Sequence, residues 1–124
     1  MTAPYVSLTI PCDRRYLGVV GLVVGGLAAR FELGLDRVDD LRLALEAAAF
    51  DGPSDRTLEI EIRGERGLEL EAGPLPASVR ERLRDETGPL ALRRVLGALV
   101  DEAELLEREG GDWLLLRQRS AVGA

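Results

Sequence analysis

The sequence predicts an α+β fold, a two-layer sandwich in which helices cover one face of a mixed β-sheet. Short segments near the start, middle and end alternate apolar and polar residues, as half-buried strands do. Longer segments between them repeat apolar residues at helical spacing, and turns containing Gly or Pro separate the two kinds. The predicted order is βααββααββ in a single domain over residues 1–124, of which 46% are apolar, enough for a core.

The first predicted strand is Tyr5–Ile10, because every second residue is apolar, and Pro11 ends it. A helix is predicted from Asp13 to about Glu32, and it is apolar nearly all round. It contains four glycines, Gly18, Gly21, Gly25 and Gly26. Each interior glycine costs a helix about 1 kcal/mol relative to Ala. Two interpretations are open: close packing of this helix against the sheet, which we favour, and a surface for pairing with a second subunit.

The second predicted helix begins at Asp36, after Gly34 has capped the end of the first helix. Asp39 occupies the capping-box position three residues on. Its core stripe is predicted to be Val38, Leu41, Leu45, Ala48 and Ala49. Glu46 lies beside that stripe, and Phe50 lies one turn further along the same side.

The second half of the chain predicts two hairpins with two helices between them. The predicted elements are strands Thr57–Arg63 and Gly67–Glu71, a loop over 72–76, helices Ala77–Asp85 and Leu90–Asp101, and strands Ala103–Arg108 and Asp112–Arg119. In the fourth helix, the predicted buried residues are Leu92, Val95, Leu96, Leu99 and Val100.

Composition excludes several classes of chemistry. The net charge is −6 and the pI about 4.7, so a nucleic acid partner is not expected, because phosphates call for a basic surface. Lys and His do not occur, which rules out a P-loop lysine, a Schiff base and a Ser-His-Asp triad. The single cysteine, Cys12, rules out an internal disulfide and a Cys-rich zinc site.

The apolar run Tyr16–Ala29 is too short to span a bilayer. A buried helix is predicted there instead of a signal peptide or a membrane segment. We therefore expect a cytoplasmic protein with no membrane partner.

Five motifs follow one another along the chain. They are "LTIP" (8–11), "VDDLRLALEAAAF" (38–50), "LELEAGPL" (68–75), "TGPLALRRVLGALVDEAEL" (87–105) and "EREGGDWLLLRQR" (107–119). In this order they resemble the compact GHKL ATPase domains, which have the Bergerat-like fold, and in particular the bacterial anti-sigma serine kinases. The resemblance covers nearly the whole chain.

The resemblance implies a role for residues of the second helix. Glu46 falls on the position of the catalytic base that activates the attacking hydroxyl. Phe50 falls on the position of an asparagine whose side-chain oxygen holds Mg²⁺ in the family. A phenyl ring cannot ligate this cation, which takes oxygen ligands. Only Asp51, next in sequence, is then left as a metal ligand if Mg²⁺ is bound.

The remaining nucleotide motifs are also altered relative to the family. Glu71 falls on the position of the aspartate that accepts from the adenine amino group, and Gly73 on the first glycine of the adenine loop. Leu75 replaces the second glycine. Gly88 remains from the phosphate-binding turn, but Pro89 replaces a glycine and has no N–H to offer a phosphate.

The resemblance therefore implies an anti-sigma-factor-like regulatory protein with a degenerate, inactive ATP site. It would act in transcription regulation by binding a sigma factor or an anti-sigma antagonist, as a homodimer and without a cofactor. Two alternatives are open. One is an active serine/threonine-protein kinase that uses ATP or ADP with Mg²⁺ through Glu46 and Glu71. The other is an α+β structural or ligand-binding domain related to the family by topology alone.

Overall fold

The computed structural model describes residues 5–50, 55–64, 66–108 and 110–120, and it contains the predicted order of strands and helices. The elements are β1 Tyr5–Pro11, α1 Leu17–Ala28, α2 Leu35–Ala49, β2 Thr57–Gly64, β3 Gly67–Leu75, α3 Ala77–Arg84, α4 Leu92–Leu99, β4 Glu102–Arg108 and β5 Gly111–Arg119. Short 3₁₀ turns, Arg14–Tyr16 and Ala29–Phe31, flank α1.

The five strands form one sheet in the order β1-β2-β3-β5-β4. All four pairings are antiparallel, so the expected mixed sheet is corrected to an antiparallel one. The reason lies in the connections. Pro11 pairs with Thr57, so the chain leaves and re-enters the sheet at the same end, and β2 must run opposite to β1. The strands β3 and β4 share a direction, but β5 lies between them and separates them.

The helices pack on one face of this sheet, which confirms the predicted α+β sandwich. The apolar positions of β2, β3 and β5 point to this face and form the core with the helices. These strand residues are Leu58, Ile60, Ile62, Leu70, Ala72, Leu114 and Leu116. The predicted stripe of α2 is buried against them, as are Leu92 and Leu96 of α4, whereas Val95 and Leu99, predicted to be buried, are only partly covered.

The opposite face of the sheet, called the outer face below, carries the alternate residues of each strand. One row crosses four strands, from Arg63 to Glu69, Arg117 and Glu102, with each residue paired with the next in the sheet register. Opposite charges therefore alternate along the row, which stabilises cross-strand neighbours. Trp113 is 5% exposed on this face, and the Arg108 guanidinium lies 3.8 Å from the centre of its ring.

The predicted boundary between the first two helices is wrong. Gly34 does not end the first helix but is the N-cap of α2, with extended backbone (φ −69°, ψ 162°) and a carbonyl that accepts from the N–H of Val38 at 3.1 Å. No side chain caps α2, so the predicted capping box at Asp36 and Asp39 is not formed. The first helix ends earlier, and Glu32 adopts the left-handed conformation (φ 55°) that turns the chain.

The strand β3 continues to Leu75, through the stretch predicted as a loop. Its register against β5 shifts between Ala72 and Leu75, which marks a bulge. Gly and Pro in this stretch favoured a loop by sequence, but a bulged strand also accepts them.

The helix α1 is buried on one side only. Val20 and Val24 lie in the core, whereas Leu22 is 80% exposed on the other side. A Cβ atom added to Gly18, Gly25 or Gly26 would meet nothing within 4 Å. The close packing that we favoured for these glycines is therefore wrong, and the pairing surface is the interpretation that stays open. Within the described ranges, every helix is too short or too polar to cross a membrane.

Candidate functional site

Glu46 lies on α2 and lines a cleft of about 320 Å³ in the helical layer. The cleft is walled by Leu43 and Ala47 of α2, by Val95 and Leu99 of α4, and by Arg14. Arg14 is fixed there because its Nε donates to the carbonyl of Phe50 at 3.3 Å. The cleft thus places one carboxylate and one guanidinium among apolar side chains.

Phe50 closes the end of α2 and is 1% exposed in the core. Its N–H donates to the carbonyl of Glu46 at 3.1 Å, so the two positions keep the one-turn spacing predicted from the sequence. The side chain of Phe50 is packed with apolar residues and offers no oxygen to a cation. Asp51, the remaining metal ligand suggested by the sequence, lies outside the described residues.

Glu71 lies on the outer face, because its neighbours Leu70 and Ala72 point into the core beneath the helices. Its carboxylate is 3.5 Å from the guanidinium of Arg63 and 3.8 Å from that of Arg108. Its side chain is only 12% exposed. Glu46 and Glu71 are therefore on opposite sides of the sheet.

Gly73 also belongs to the outer face, and its close neighbour is the indole of Trp113. A Cβ atom added at this position would lie 2.6 Å from the ring, closer than packed atoms come. This glycine therefore makes room for Trp113.

Gly88 is in the loop between α3 and α4, with φ +81°, and lines a shallow cavity of about 380 Å³. The loop is held by Asp85, whose carboxylate accepts from the backbone N–H and hydroxyl of Thr87 at 3.1 and 2.6 Å. These hydrogen bonds lower the pKa of Asp85. The hydroxyl and N–H of Thr87 are thereby engaged within the loop.

The structure keeps Glu46 and Phe50 together but does not bring them to Glu71 and Gly73. Among the residues that the structure describes, no three acidic or sulfur side chains are grouped so that they could hold a metal ion. In that part of the chain, position 50 thus supplies no oxygen ligand of the kind that Mg²⁺ takes.

A further cavity, on the outer face of the sheet, was not predicted from the sequence. It has a volume of about 590 Å³ and lies at the end of the outer face where β5 finishes and β3 begins. Four arginines line it, namely Arg63, Arg66, Arg117 and Arg119, together with Glu69 and Glu102. The signal that could have found it is the alternation of charged and apolar residues in β2, β3 and β5. Alternation predicts which charged residues lie on the same face of a strand. Only the order of the strands shows which of these residues become neighbours.

The sequence analysis also missed Gln118, which is 1% exposed beneath the helices. Its amide donates to the carbonyls of Leu99 at 2.8 Å and Arg37 at 3.2 Å, and its oxygen accepts from the N–H of Asp101 at 3.1 Å. This one side chain therefore joins β5 to α2 and to the end of α4.

The chain is similar to two curated proteins, while no family model matches it. One is the serine-protein kinase RsbW of Bacillus subtilis (strain 168), 27% identical over 66 residues. The other is the serine-protein kinase RsbW of Bacillus licheniformis, 26% identical over 66 residues. Each alignment covers 49% of this chain and 41% of the relative, so the match spans less than half of the length of either kinase. Over about half of its length, the chain is distantly similar to serine-protein kinases of this kind.

Proposed function

We propose that this protein is an anti-sigma-like regulator that acts by binding another protein, and that its nucleotide site is degenerate. The observation that carries the proposal is the separation of Glu46 and Glu71 by the sheet. A kinase of the family type needs its catalytic base and the carboxylate that accepts from adenine to lie around one bound nucleotide. Here one carboxylate lines the cleft in the helical layer and the other is paired with arginines on the outer face.

The chemistry at Phe50 supports the same proposal. Transfer of a phosphoryl group depends on a divalent cation that neutralises the charge developing on the phosphates. The side chain at this position is an aromatic ring packed in the core. An amide at this position would be a polar group buried among apolar atoms, which costs free energy. The surrounding core therefore disfavours a side chain that could bind a metal ion.

The proposed partners are a sigma factor or an anti-sigma antagonist, and the proposed assembly is a homodimer formed through α1. The exposed side of α1 supports the second part. It carries Leu22, Val19 and several glycines, and no charged residue occurs between Leu17 and Ala29. An exposed apolar patch of this kind is typical of interaction surfaces, and the bare glycines would let a partner helix approach closely.

The nucleotide part of the proposal is tested by titrating the protein with Mg·ADP in a calorimeter. A ligand present at 100 times its Kd would stabilise the fold by about 2.7 kcal/mol, so binding of ordinary affinity would also raise the Tm. We expect no adenine-dependent heat and no adenine-dependent rise in Tm. Pyrophosphate serves as the control without a base. Binding that requires adenine and is lost in Glu71→Gln would contradict the proposal.

The dimer is tested by light scattering on a size-exclusion column. We expect the wild type to elute as a dimer and Leu22→Glu as a folded monomer, because the charge would be desolvated at the interface. The matched control is Leu90→Glu, since Leu90 is at least as exposed as Leu22, at 86% against 80%, but lies in the α3–α4 loop. A monomeric wild type, or a dimer that survives Leu22→Glu, would rule out pairing through α1.

The similarity to serine-protein kinases favours an active kinase as the second candidate. In that case Glu46 would act as the base from the cleft that it shares with Arg14. Incubation with γ-labelled ATP, Mg²⁺ and purified anti-sigma antagonists would detect it. Label transferred by the wild type but not by Glu46→Gln would establish the kinase and overturn the degenerate site.

A further inference from the structure

We propose that the four-arginine cavity on the outer face binds a phosphate-type oxyanion. The cavity, called the arginine cleft below, is formed by Arg63, Arg66, Arg117 and Arg119 with Glu69 and Glu102. It shares no lining residue with the cleft at Glu46, and it is independent of the proposed regulatory function.

Sheet register brings the arginines together from distant parts of the sequence. Arg63 and Arg117 both flank Glu69 across neighbouring strands, and Arg119 pairs with Gly67 at the start of β3. Arg66 precedes that glycine in the β2–β3 turn, where its carbonyl accepts from the N–H of Ser120 at 2.9 Å. The absence of a side chain at Gly67 lets β5 approach closely, because a Cβ atom added there would lie 2.2 Å from the carbonyl oxygen of Gln118.

The charge of the arginine cleft is not balanced. Its two carboxylates are already engaged: Glu69 lies 3.1 Å from Arg117 and 4.0 Å from Arg63, and Glu102 binds both Arg117 and Arg119. Arg63 also lies 3.5 Å from Glu71, so among the described residues four guanidinium groups meet three carboxylates, in a chain with a net charge of −6. The Arg66 side chain is exposed and makes no hydrogen bond or ion pair with another described residue.

The chemistry of these groups favours phosphate oxygens as the ligand. A guanidinium is a planar fork that binds phosphate through two parallel hydrogen bonds, and several of them can share one oxyanion. The cleft volume of about 590 Å³ falls within the range of small-molecule sites, so it accommodates more than a bare ion. Glu69 and Glu102 hold Arg117 and Arg119 in place through ion pairs, which limits the ordering cost of binding.

The test is a titration of the ¹⁵N-labelled full chain with inorganic phosphate and with pyrophosphate, at constant ionic strength. We expect saturable shifts of the amide signals of residues 66–69 and 117–119. If pyrophosphate binds more tightly than inorganic phosphate, the natural ligand has joined phosphate groups. If the two bind equally tightly, the natural ligand has a single phosphate group. Shifts that do not saturate, that chloride reproduces, or that map to the Gly88 loop would overturn the proposal.

Two variants decide whether Arg66 takes part. Arg66→Gln is expected to raise the Kd of pyrophosphate about tenfold, the effect of losing one hydrogen bond to a charged group. The matched control Arg94→Gln removes the same charge from α4, outside the cleft, and should leave the Kd unchanged. Equal Kd values for the wild type and Arg66→Gln would overturn the assignment. Because the Arg66 side chain is exposed and makes no hydrogen bond or ion pair with the described residues, its substitution should leave the fold intact.

Discussion

Two different explanations fit the presence of a glycine at position 73. By its place in the sequence it resembles a glycine of an adenine loop, where a bare backbone approaches a base. In the structure the aromatic ring beside it belongs to the protein's own Trp113. A glycine is required in both cases because only hydrogen fits against a flat ring, so sequence alone could not distinguish them.

Gly73→Ala should destabilise the protein by about 1–3 kcal/mol, the usual cost of an added group in a packed site. The new methyl group would lie 2.6 Å from the ring of Trp113, and either the ring or the strand must move. The measurement is urea unfolding followed by circular dichroism.

The control is Gly97→Ala on α4, where an added Cβ meets nothing within 4 Å. This change should stabilise the helix by up to about 1 kcal/mol. Equal effects of the two substitutions would show that the close approach of Trp113 to Gly73 is incorrect.

At the scale of elements, the helical layer is tied to the sheet by polar contacts as well as by the core. Gln118 joins β5 to the first turn of α2 and to the end of α4, as described above. Arg80 of α3 binds Asp112 of β5 through two hydrogen bonds of 2.6 and 3.1 Å. Both links add directional polar contacts to the hydrophobic packing between the helices and the sheet.

Gln118→Leu should lower the free energy of unfolding by about 2–4 kcal/mol. The substitution nearly preserves volume but removes the three hydrogen bonds of Gln118, each worth about 0.5–1.5 kcal/mol, and leaves the carbonyl of Leu99 without its Gln118 donor. The N–H of Asp101 keeps the carbonyl of Arg117 as an acceptor at 3.1 Å. Urea unfolding gives the value. Thr57→Val, an exposed polar-to-apolar change in β2, is the control and should stay within about 0.5 kcal/mol of the wild type. A Gln118→Leu protein as stable as this control would contradict the hydrogen bonds assigned to Gln118.

At the scale of the whole molecule, charge pairing makes stability depend on pH at the acid end. The side-chain hydrogen bond from Arg80 lowers the pKa of Asp112 below its ordinary value of 3.8, and Arg117 similarly lowers the pKa of Glu102. A carboxylate with a lowered folded-state pKa stabilises the fold above its unfolded pKa, and this contribution is lost as the pH falls through the folded value.

Asp112→Asn should therefore reduce stability at pH 7, and its difference from the wild type should shrink as the pH falls below about 3.8, the ordinary value for Asp. Arg80→Gln should have the same effect, since it removes the other half of the pair. Urea unfolding at several pH values between 7 and 2.5 provides the comparison. Curves for variant and wild type that remain parallel throughout this range would exclude the pair as a source of acid sensitivity.

Much of the fold could be predicted from local patterns. The order of nine elements, the stripe of α2 and the alternation in β2 were all predicted, because side-chain periodicity reports directly on which face is buried. The boundaries at Gly34 and Leu75 were not. A glycine suits either end of a helix, and a strand with a bulge tolerates the Gly and Pro that also make loops.

Only part of the candidate site could be predicted from the sequence. Glu46 and Phe50 kept their spacing, because both belong to one helical segment. Whether Glu71 would join them depended on which face of β3 it occupied relative to a helix far away in sequence. The grouping of Arg63, Arg66, Arg117 and Arg119 depended likewise on the order of the strands.

The sequence by itself determined the succession of elements, most of the buried positions and the aromatic ring in place of an amide at Phe50. These properties follow from the period of each segment and from the residue at each position. The tertiary structure alone decided that Glu46 and Glu71 lie on opposite sides of the sheet, that one side of α1 is bare, and that four arginines converge. Such facts depend on register and packing between segments distant in the chain, which no local period encodes.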